Sequence, residues 1–389
     1  MKIKKIAVIG GGTLGTLTAL QLSNLGYSVS IFEKNHEILR GASYFGEAKI
    51  HLGYTYGLAG IFTIQSLLNS AFSFKSIFER ALNQQIDWSS FISSPFVYKV
   101  DKESLISVDE FIDHANKISE LIKTCVSSEC YLNLEDSEVN HFKRISERNF
   151  ATGERAIDVV LLNKLIKSEL IKRSNISIFL NHKIEKLNFN SSKKYVLHTD
   201  HETVVEEFSY VINCTWDQRN KLDKSFVDDL KVYNYRTKLY VYAETNLKDL
   251  ALTTVLGKFG DLVIFGNGRL YASDYYQGLT NFENGVFPKF QERETLPKDL
   301  VDKHWASCQN RYKEDVPSIL EVSDFKTFER TIVAIGESDI DKIESELHNR
   351  LPFHVFTKAN YISALATKYT NIPLLSKQIV DWVLNNEFE

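Results

Sequence analysis

The stretch "KIAVIGGGTLGTLTALQLSNLGYSVSIFEK", residues 5–34, decides the fold. Ile6 to Ile9 is a short apolar run of strand length that ends at glycines. Gly10, Gly12 and Gly15 then set G-x-G-x-x-G at a strand-to-helix turn. Leu14, Leu17, Leu20 and Leu22 recur near helical spacing, Ala19 is small where a helix must lie close to a sheet, and Gly26 ends the helix. "SVSIFE" reads as a second strand with Glu33 at its end. Each part has a physical task. Gly10 allows the tight turn, Gly12 lets the backbone approach a pyrophosphate, and Gly15 lets helix and strand pack closely. The helix N-terminus offers unpaired N–H groups and partial positive charge to the phosphates. Glu33, 18 residues past Gly15, is placed to accept hydrogen bonds from a ribose. An acid there favours a free 2′-hydroxyl, so NADP is disfavoured while FAD and NAD both fit.

The bulk of the chain sets the frame. Its 389 residues imply two to three domain-sized units, and 43% hydrophobic, 25% charged and 12% aromatic residues are globular values. A net charge of −4 gives no basic footprint, which argues against nucleic acid as a partner. No apolar run approaches the roughly 18 residues of a membrane span. "MKIKKIAVIGGG" places lysines ahead of apolar residues, but the apolar part is too short for a signal peptide and reads as a buried first strand. Four cysteines (Cys125, Cys130, Cys214, Cys308) are too few for a disulfide scaffold, so a cytoplasmic location is expected. No His/Cys/Asp cluster has metal spacing, and "HTDHE" (198–202) reads as a turn between strands, so no metal is expected.

"RGASYFGEAKIHLGYTYG", residues 40–57, follows with neither helical nor strand periodicity. Together with the first unit it resembles the D-amino acid oxidase-like group of FAD-dependent oxidoreductases, which includes glycine, sarcosine and L-2-hydroxyglutarate oxidases. The resemblance rests on the small pair Ala42 and Ser43 and on "IHLGYTY" (50–56) after the acid-ended strand. An FAD lies extended, so the chain must thread along its pyrophosphate and ring, and Gly41, Ala42, Ser43 and Gly46 permit that approach. "ATGERAIDVVLLNKLIKSELIKRSNISIFLNHKIEKLNF" (151–189) resembles the unit such proteins insert: a short strand, a helix over about 158–173 and a strand at 176–180. "FSYVINCTW" (208–216) resembles the family's return strand, with Trp216 where a glycine is common. "KANYISALATKYTNIPLLSKQIVDWVLNN" (358–386) resembles the closing segment, with Thr370 or Asn371 capping a helix whose early turn holds Pro373.

The implied fold is α/β: a Rossmann-like FAD-binding domain of glutathione-reductase type with an inserted antiparallel-sheet substrate domain. Residues 1–80, 151–219 and 346–389 are assigned to the first, and residues 81–150 and 220–345 to the second. "SVDEFIDHANKISELIKTC" (107–125) reads as an amphipathic helix, and "YRTKLYVYAET" (235–245) and segments after Asp261 alternate like sheet strands. The resemblance implies FAD contacts from Gly10, Gly12, Gly15, Glu33, Lys34, Arg40, Ala42, Ser43, Ile184, Thr215, Thr370, Asn371 and Ile372.

Its function is expected to be oxidation of a C–N or C–O bond of a small polar metabolite (amino acid, amine, hydroxy acid or amino sugar), with hydride transfer to flavin N5. Oxygen or another electron acceptor completes the cycle, and a homo-oligomer is compatible with the sequence. An acidic substrate needs a guanidinium fork, for which Arg236 and Arg269 are candidates. Tyr54, Tyr275 and Tyr276 are candidates to line the pocket. His51 is placed to orient substrate, act as a base or contact the ring, and Lys49 to bind flavin or an oxygen-activating water. "CVSSEC" (125–130) has the spacing of a disulfide-reductase dithiol but comes too late in the chain, and Gly260-Asp261 lacks an aromatic-hydroxylase context. The alternatives are a dehydrogenase passing electrons to a quinone or protein, and a non-catalytic FAD-binding subunit.

Overall fold

The computed structural model describes residues 4–44, 46–125, 131–189, 194–199, 207–349 and 353–386. Two large sheets organise them. The first has six strands in the order Phe353–Lys358, Tyr361–Ala366, Tyr210–Asn213, Lys5–Ile9, Ser28–Phe32 and Ile176–Phe179. All neighbours are parallel except the antiparallel edge strand Phe353–Lys358. The central strands are buried on both sides and read as continuous apolar runs, as a parallel sheet requires. Helices Thr13–Asn24, Ile61–Leu82 and Ile372–Asn385 pack against one another over one face, where Leu17, Leu20, Phe74, Phe78, Ile379 and Val383 join the main core. The other face, with Ala7, Ile9 and Val211, is covered by the hairpin Ile184–Phe189 and Tyr195–Thr199 and by Leu222.

The strand-to-helix turn is built as its glycines demand. Gly10 has φ +105°, a conformation side chains avoid, and a Cβ there would lie 2.6 Å from the carbonyl oxygen of Cys214. A Cβ on Gly15 would lie 2.0 Å from the carbonyl oxygen of Gly10, so the helix touches the turn backbone to backbone.

The second sheet has nine strands and is assembled from two chain segments. Phe96–Val100, Phe142–Arg144 and Asn149–Thr152 join strands between Tyr233 and Ala334, led by the 12-residue strand Tyr233–Glu244. The sheet is antiparallel with one exception to the expected pattern. Phe96–Val100 runs parallel to Leu250–Val255, where a strand of the first segment meets one of the second with no hairpin to reverse it. Strand parity sorts the side chains of Tyr233–Glu244. Val241 and Ala243 pack on Trp305, Cys308 and Tyr312 of the helix Lys298–Tyr312, while Arg236, Lys238 and Tyr240 point to the opposite side.

The inserted helix is Val159–Ile171, capped by Asp158, whose carboxylate accepts from the N–H groups of Val160 (3.0 Å) and Leu161 (3.1 Å). The amphipathic helix is Val108–Cys125. Residues 126–130 of "CVSSEC" and 200–202 of "HTDHE" lie outside the described residues.

Gly15→Ala is expected to lower stability by about 2–3 kcal/mol, because the methyl group has only backbone to displace. Gly41→Ala, with nothing within 4 Å of the new carbon, should change it by less than about 0.5 kcal/mol. Chemical unfolding of the two variants checks this.

Candidate active site

One cavity of about 1090 Å³ runs between the two sheets. Most of the residues proposed from sequence meet there. Gly10, Gly12, Glu33, Lys34, Arg40, Ala42, Ser43, Ile184, Thr215 and Ile372 line it, as do His51, Arg236 and Tyr275. The first group comes from the six-stranded sheet, the segments that follow its strands, the hairpin at Ile184 and the helix Ile372–Asn385, while Arg236 comes from the nine-stranded sheet and Tyr275 from the short helix Tyr275–Gly278.

The nucleotide end can be tested for fit to FAD. Helix Thr13–Asn24 opens on the cavity with Gly12 as its N-cap, no side-chain cap and no acidic residue in its first turn. Its amide groups and dipole are therefore available to an anion such as a pyrophosphate. Ser43 supplies a hydroxyl at the same place, accepting from Thr13 N–H at 2.8 Å. Glu33 is buried and accepts from Gly11 N–H (2.8 Å), Asn35 N–H (2.9 Å) and the Asn35 side chain (2.7 Å). A carboxylate has about four lone-pair directions, so capacity remains for one ribose hydroxyl. The residues present fit the dinucleotide.

Six proposed residues lie elsewhere. Gly15 packs on Gly10, as described above, and does not reach the cavity. Thr370 and Asn371 are buried beneath it. Thr370 Oγ1 accepts from His51 N–H at 2.9 Å and donates to the Lys49 carbonyl at 3.0 Å, so it braces the loop. Asn371 is the N-cap residue of the helix Ile372–Asn385, but no side-chain hydrogen bond caps that helix. Arg269 does not join the site. Its guanidinium is held by Asp158 at 2.6 Å, because the capping carboxylate needs a countercharge and Arg269 stands at the strand end nearest to it. Tyr54 is buried against Tyr98 and Phe142, and Tyr276 is 57% exposed; neither lines the cavity.

Within the cavity, Arg236 is 3% exposed, and among the described residues its Nε has no hydrogen-bond partner. Its Nη1 donates to Tyr275 Oη at 3.4 Å and lies 3.9 Å from Asp339. The Tyr275 hydroxyl donates to Asp339 in turn. His51 lies with Nδ1 4.0 Å from Glu154 Oε2 and its ring edge-on to Tyr56.

Sequence reading missed three inner residues. Asp261 was set aside for want of a motif, yet it lines the cavity and holds Lys49 at 3.0 Å. Lys238 and Tyr240 also line it. Parity was the available signal, since positions two and four beyond Arg236 on one strand share its face. The two lysines differ in charge state. Asp261, Glu154 and Glu47 hold the Lys49 ammonium above its usual range in spite of burial. Burial and then the Arg236 charge push Lys238 down to about 8. Lys49 holds Asp261 below its ordinary value against the opposing effect of burial.

Asp261→Asn leaves the buried Lys49 ammonium without its partner and is expected to cost about 3 kcal/mol in urea unfolding. Because the folded-state value of Asp261 is depressed, its contribution is present above about pH 4 and lost as pH falls through the lowered value. The wild type should therefore lose stability in acid more steeply than Asp261→Asn.

The comparisons with known proteins agree with this geometry. A family model described as DAO, FAD dependent oxidoreductase, matches residues 5–327. The 4,4′-diaponeurosporene oxygenase of Staphylococcus haemolyticus (strain JCSC1435) is 26% identical over 173 residues, 44% of this chain and 31% of that protein, so the chain spans under a third of that relative's length. Glycine oxidase from Geobacillus kaustophilus superposes with a TM-score of 0.69 at 15% identity, covering 98% of this chain and 95% of that one. Iminodiacetate oxidase from Chelativorans sp. BNC1 gives 0.68 at 13%, with the same coverage. FAD-bound L-α-glycerophosphate oxidase from Mycoplasma pneumoniae gives 0.65 at 15%, covering 98% and 94%. At such identities these structures speak for the fold, while the family model spans most of the sequence. No group of three or more metal-ligating side chains, and no helix long and apolar enough to cross a membrane, occurs among the described residues. The chain belongs to the DAO family of FAD-dependent oxidoreductases.

Proposed function

We propose that this chain is an FAD-dependent oxidase or dehydrogenase that removes two electrons from the C–N or C–O bond of a small amino or hydroxy acid. The observation that carries the reading is Arg236, a buried guanidinium in the cavity whose Nε has no hydrogen-bond partner among the described residues. A substrate carboxylate supplies the missing acceptor, and the planar fork fixes its orientation. Family membership and the acidic-substrate names of the structural neighbours support this choice.

The flavin, when bound, supplies the two-electron acceptor. The chain's own residues do the rest. The turn at Gly10–Gly12, Ser43 and Glu33 hold the dinucleotide, with Lys34, Arg40, Ala42, Ile184, Thr215 and Ile372 along its course. Arg236, steadied by Tyr275 and Asp339, would fix the carboxylate and with it the orientation of the adjacent carbon. His51 stands at the wall as acceptor for the N–H or O–H proton. The division of labour follows the two sheets: residues 1–80, 151–219 and 346–389 bind the cofactor, and residues 81–150 and 220–345 bind the substrate.

Anaerobic addition of amino and hydroxy acids should bleach the flavin of the purified protein, and the matching decarboxylated amines and alcohols should not. Arg236→Met should raise KM on the order of 100-fold, with Arg236→Lys between the two. Equal bleaching by acids and their decarboxylated analogues overturns the carboxylate reading.

A further inference from the structure

Two cations of the nine-stranded sheet, Arg236 and Lys238, line the same cavity. Arg236 and Lys238 stand two positions apart on the strand Tyr233–Glu244, so they share a face, with Cα atoms about 6.6 Å apart at ordinary strand rise. Both approach Tyr275. Arg236 Nη1 lies 3.4 Å from its hydroxyl, and Lys238 Nζ sits over its ring, 4.7 Å from the centroid. Tyr275 thus stands between the two cations.

Their surroundings are unequal. Arg236 has Asp339 at 3.9 Å. Lys238 has no hydrogen bond and no carboxylate within salt-bridge distance among the described residues, although it is half-buried and lines the cavity. Of the two nearby acids, Asp261 is taken by Lys49 at 3.0 Å and by the hydroxyl of Thr253, and Glu47 accepts from the hydroxyl of Tyr271 at 3.4 Å. Burial and the neighbouring Arg236 charge disfavour the Lys238 ammonium, and the face of Tyr275 together with the charges of Asp261 and Glu47 offsets this only in part. An anion delivered from outside removes the penalty. A monocarboxylate seated on Arg236 leaves Lys238 unanswered.

We propose that Lys238 forms a second anion subsite beside Arg236, and that the substrate is a small dianion: a carboxylate for Arg236 and a second acid group, two or three carbons away, for Lys238. This rests on the carboxylate reading of Arg236 and narrows it. The second group is a carboxylate or a phosphonate-like anion, since an ammonium acts as a point charge and accepts either.

The experiment titrates the FAD-bound protein with butyrate, succinate, glutarate and 3-phosphonopropionate, reading dissociation constants from the perturbed visible flavin spectrum. The expected result is that at least one dianion binds ten or more times tighter than butyrate. Lys238→Met should erase that preference, weakening the dianion at least ten times more than butyrate, and Lys238→Arg should retain it. The better of succinate and 3-phosphonopropionate, which share one spacing, identifies the second acid group. Equal affinity of wild type for butyrate and all dianions overturns the proposal whether or not the variant folds, and so does a preference that survives in Lys238→Met. If butyrate binds and depends on Arg236 while no dianion exceeds it, only this proposal falls. If no carboxylate binds at all, the carboxylate reading of Arg236 falls with it.

Discussion

The Glu154 carboxylate holds the segment on which both ends of the cavity depend. Residues 51–54 are irregular and buried, so their N–H groups have no ladder to enter and must find acceptors. Glu154 Oε1 accepts from Leu52 (2.6 Å) and Gly53 (2.9 Å), while Oε2 takes the hydroxyl of Tyr98. The same stretch is satisfied from every other side. Tyr131 donates to the Ile50 carbonyl at 2.8 Å, the His114 ring meets the Gly53 carbonyl at 3.0 Å, and Thr370 serves His51 and Lys49. These partners come from the nine-stranded sheet, the first insertion and the C-terminal segment. Distant parts of the chain therefore converge on one loop, and His51 and Lys49 gain fixed positions at the cavity wall. The carboxylate is fully buried, and burial pushes its proton affinity up against the pull of Lys49 and the amide bonds.

What was legible in the sequence was local. The first βαβ unit is readable because its constraints act within a few residues: a turn with φ +105° at Gly10 and a 2.0 Å approach at Gly15 admit nothing but glycine. The inner wall was not legible, because its chemistry depends on who pairs with whom across more than a hundred positions. Arg236 and Arg269 look alike in sequence, and only the fold shows that Asp158, already capping a helix, claims one of them. Asp261 failed as a motif and succeeds as a partner, 212 positions from Lys49.

Trp216 shows the same limit from the other direction. The return strand ends at Trp216, which occupies φ +55°, the left-handed region that favours glycine. The side chain is not idle there. It lines the cavity, and its indole N–H donates to the Thr331 carbonyl at 3.2 Å, tying the cofactor sheet to the strand Phe325–Ala334 of the other sheet. A backbone strain of about 1–2 kcal/mol is offset by a bond between the two layers that glycine has no atoms to make.

The two inner lysines show how one residue type serves two purposes in one cavity. Lys49 is packed over the Phe96 ring, 4.1 Å from its centroid, and bound to Asp261, so its charge is fixed by neighbours that the fold cannot move without unfolding. A charge held that firmly contributes structure: it joins the loop after the nucleotide unit to the substrate sheet. Lys238 has the ring of Tyr275 and, among the described residues, no carboxylate within salt-bridge distance, and its proton affinity is lowered where that of Lys49 is raised. A wall in which one cation is satisfied internally and the next is left for the ligand separates assembly from recognition. The sheet carries both because strand parity places alternate residues of Tyr233–Glu244 on the cavity, while Val241 and Ala243 keep the strand anchored on the helix behind it.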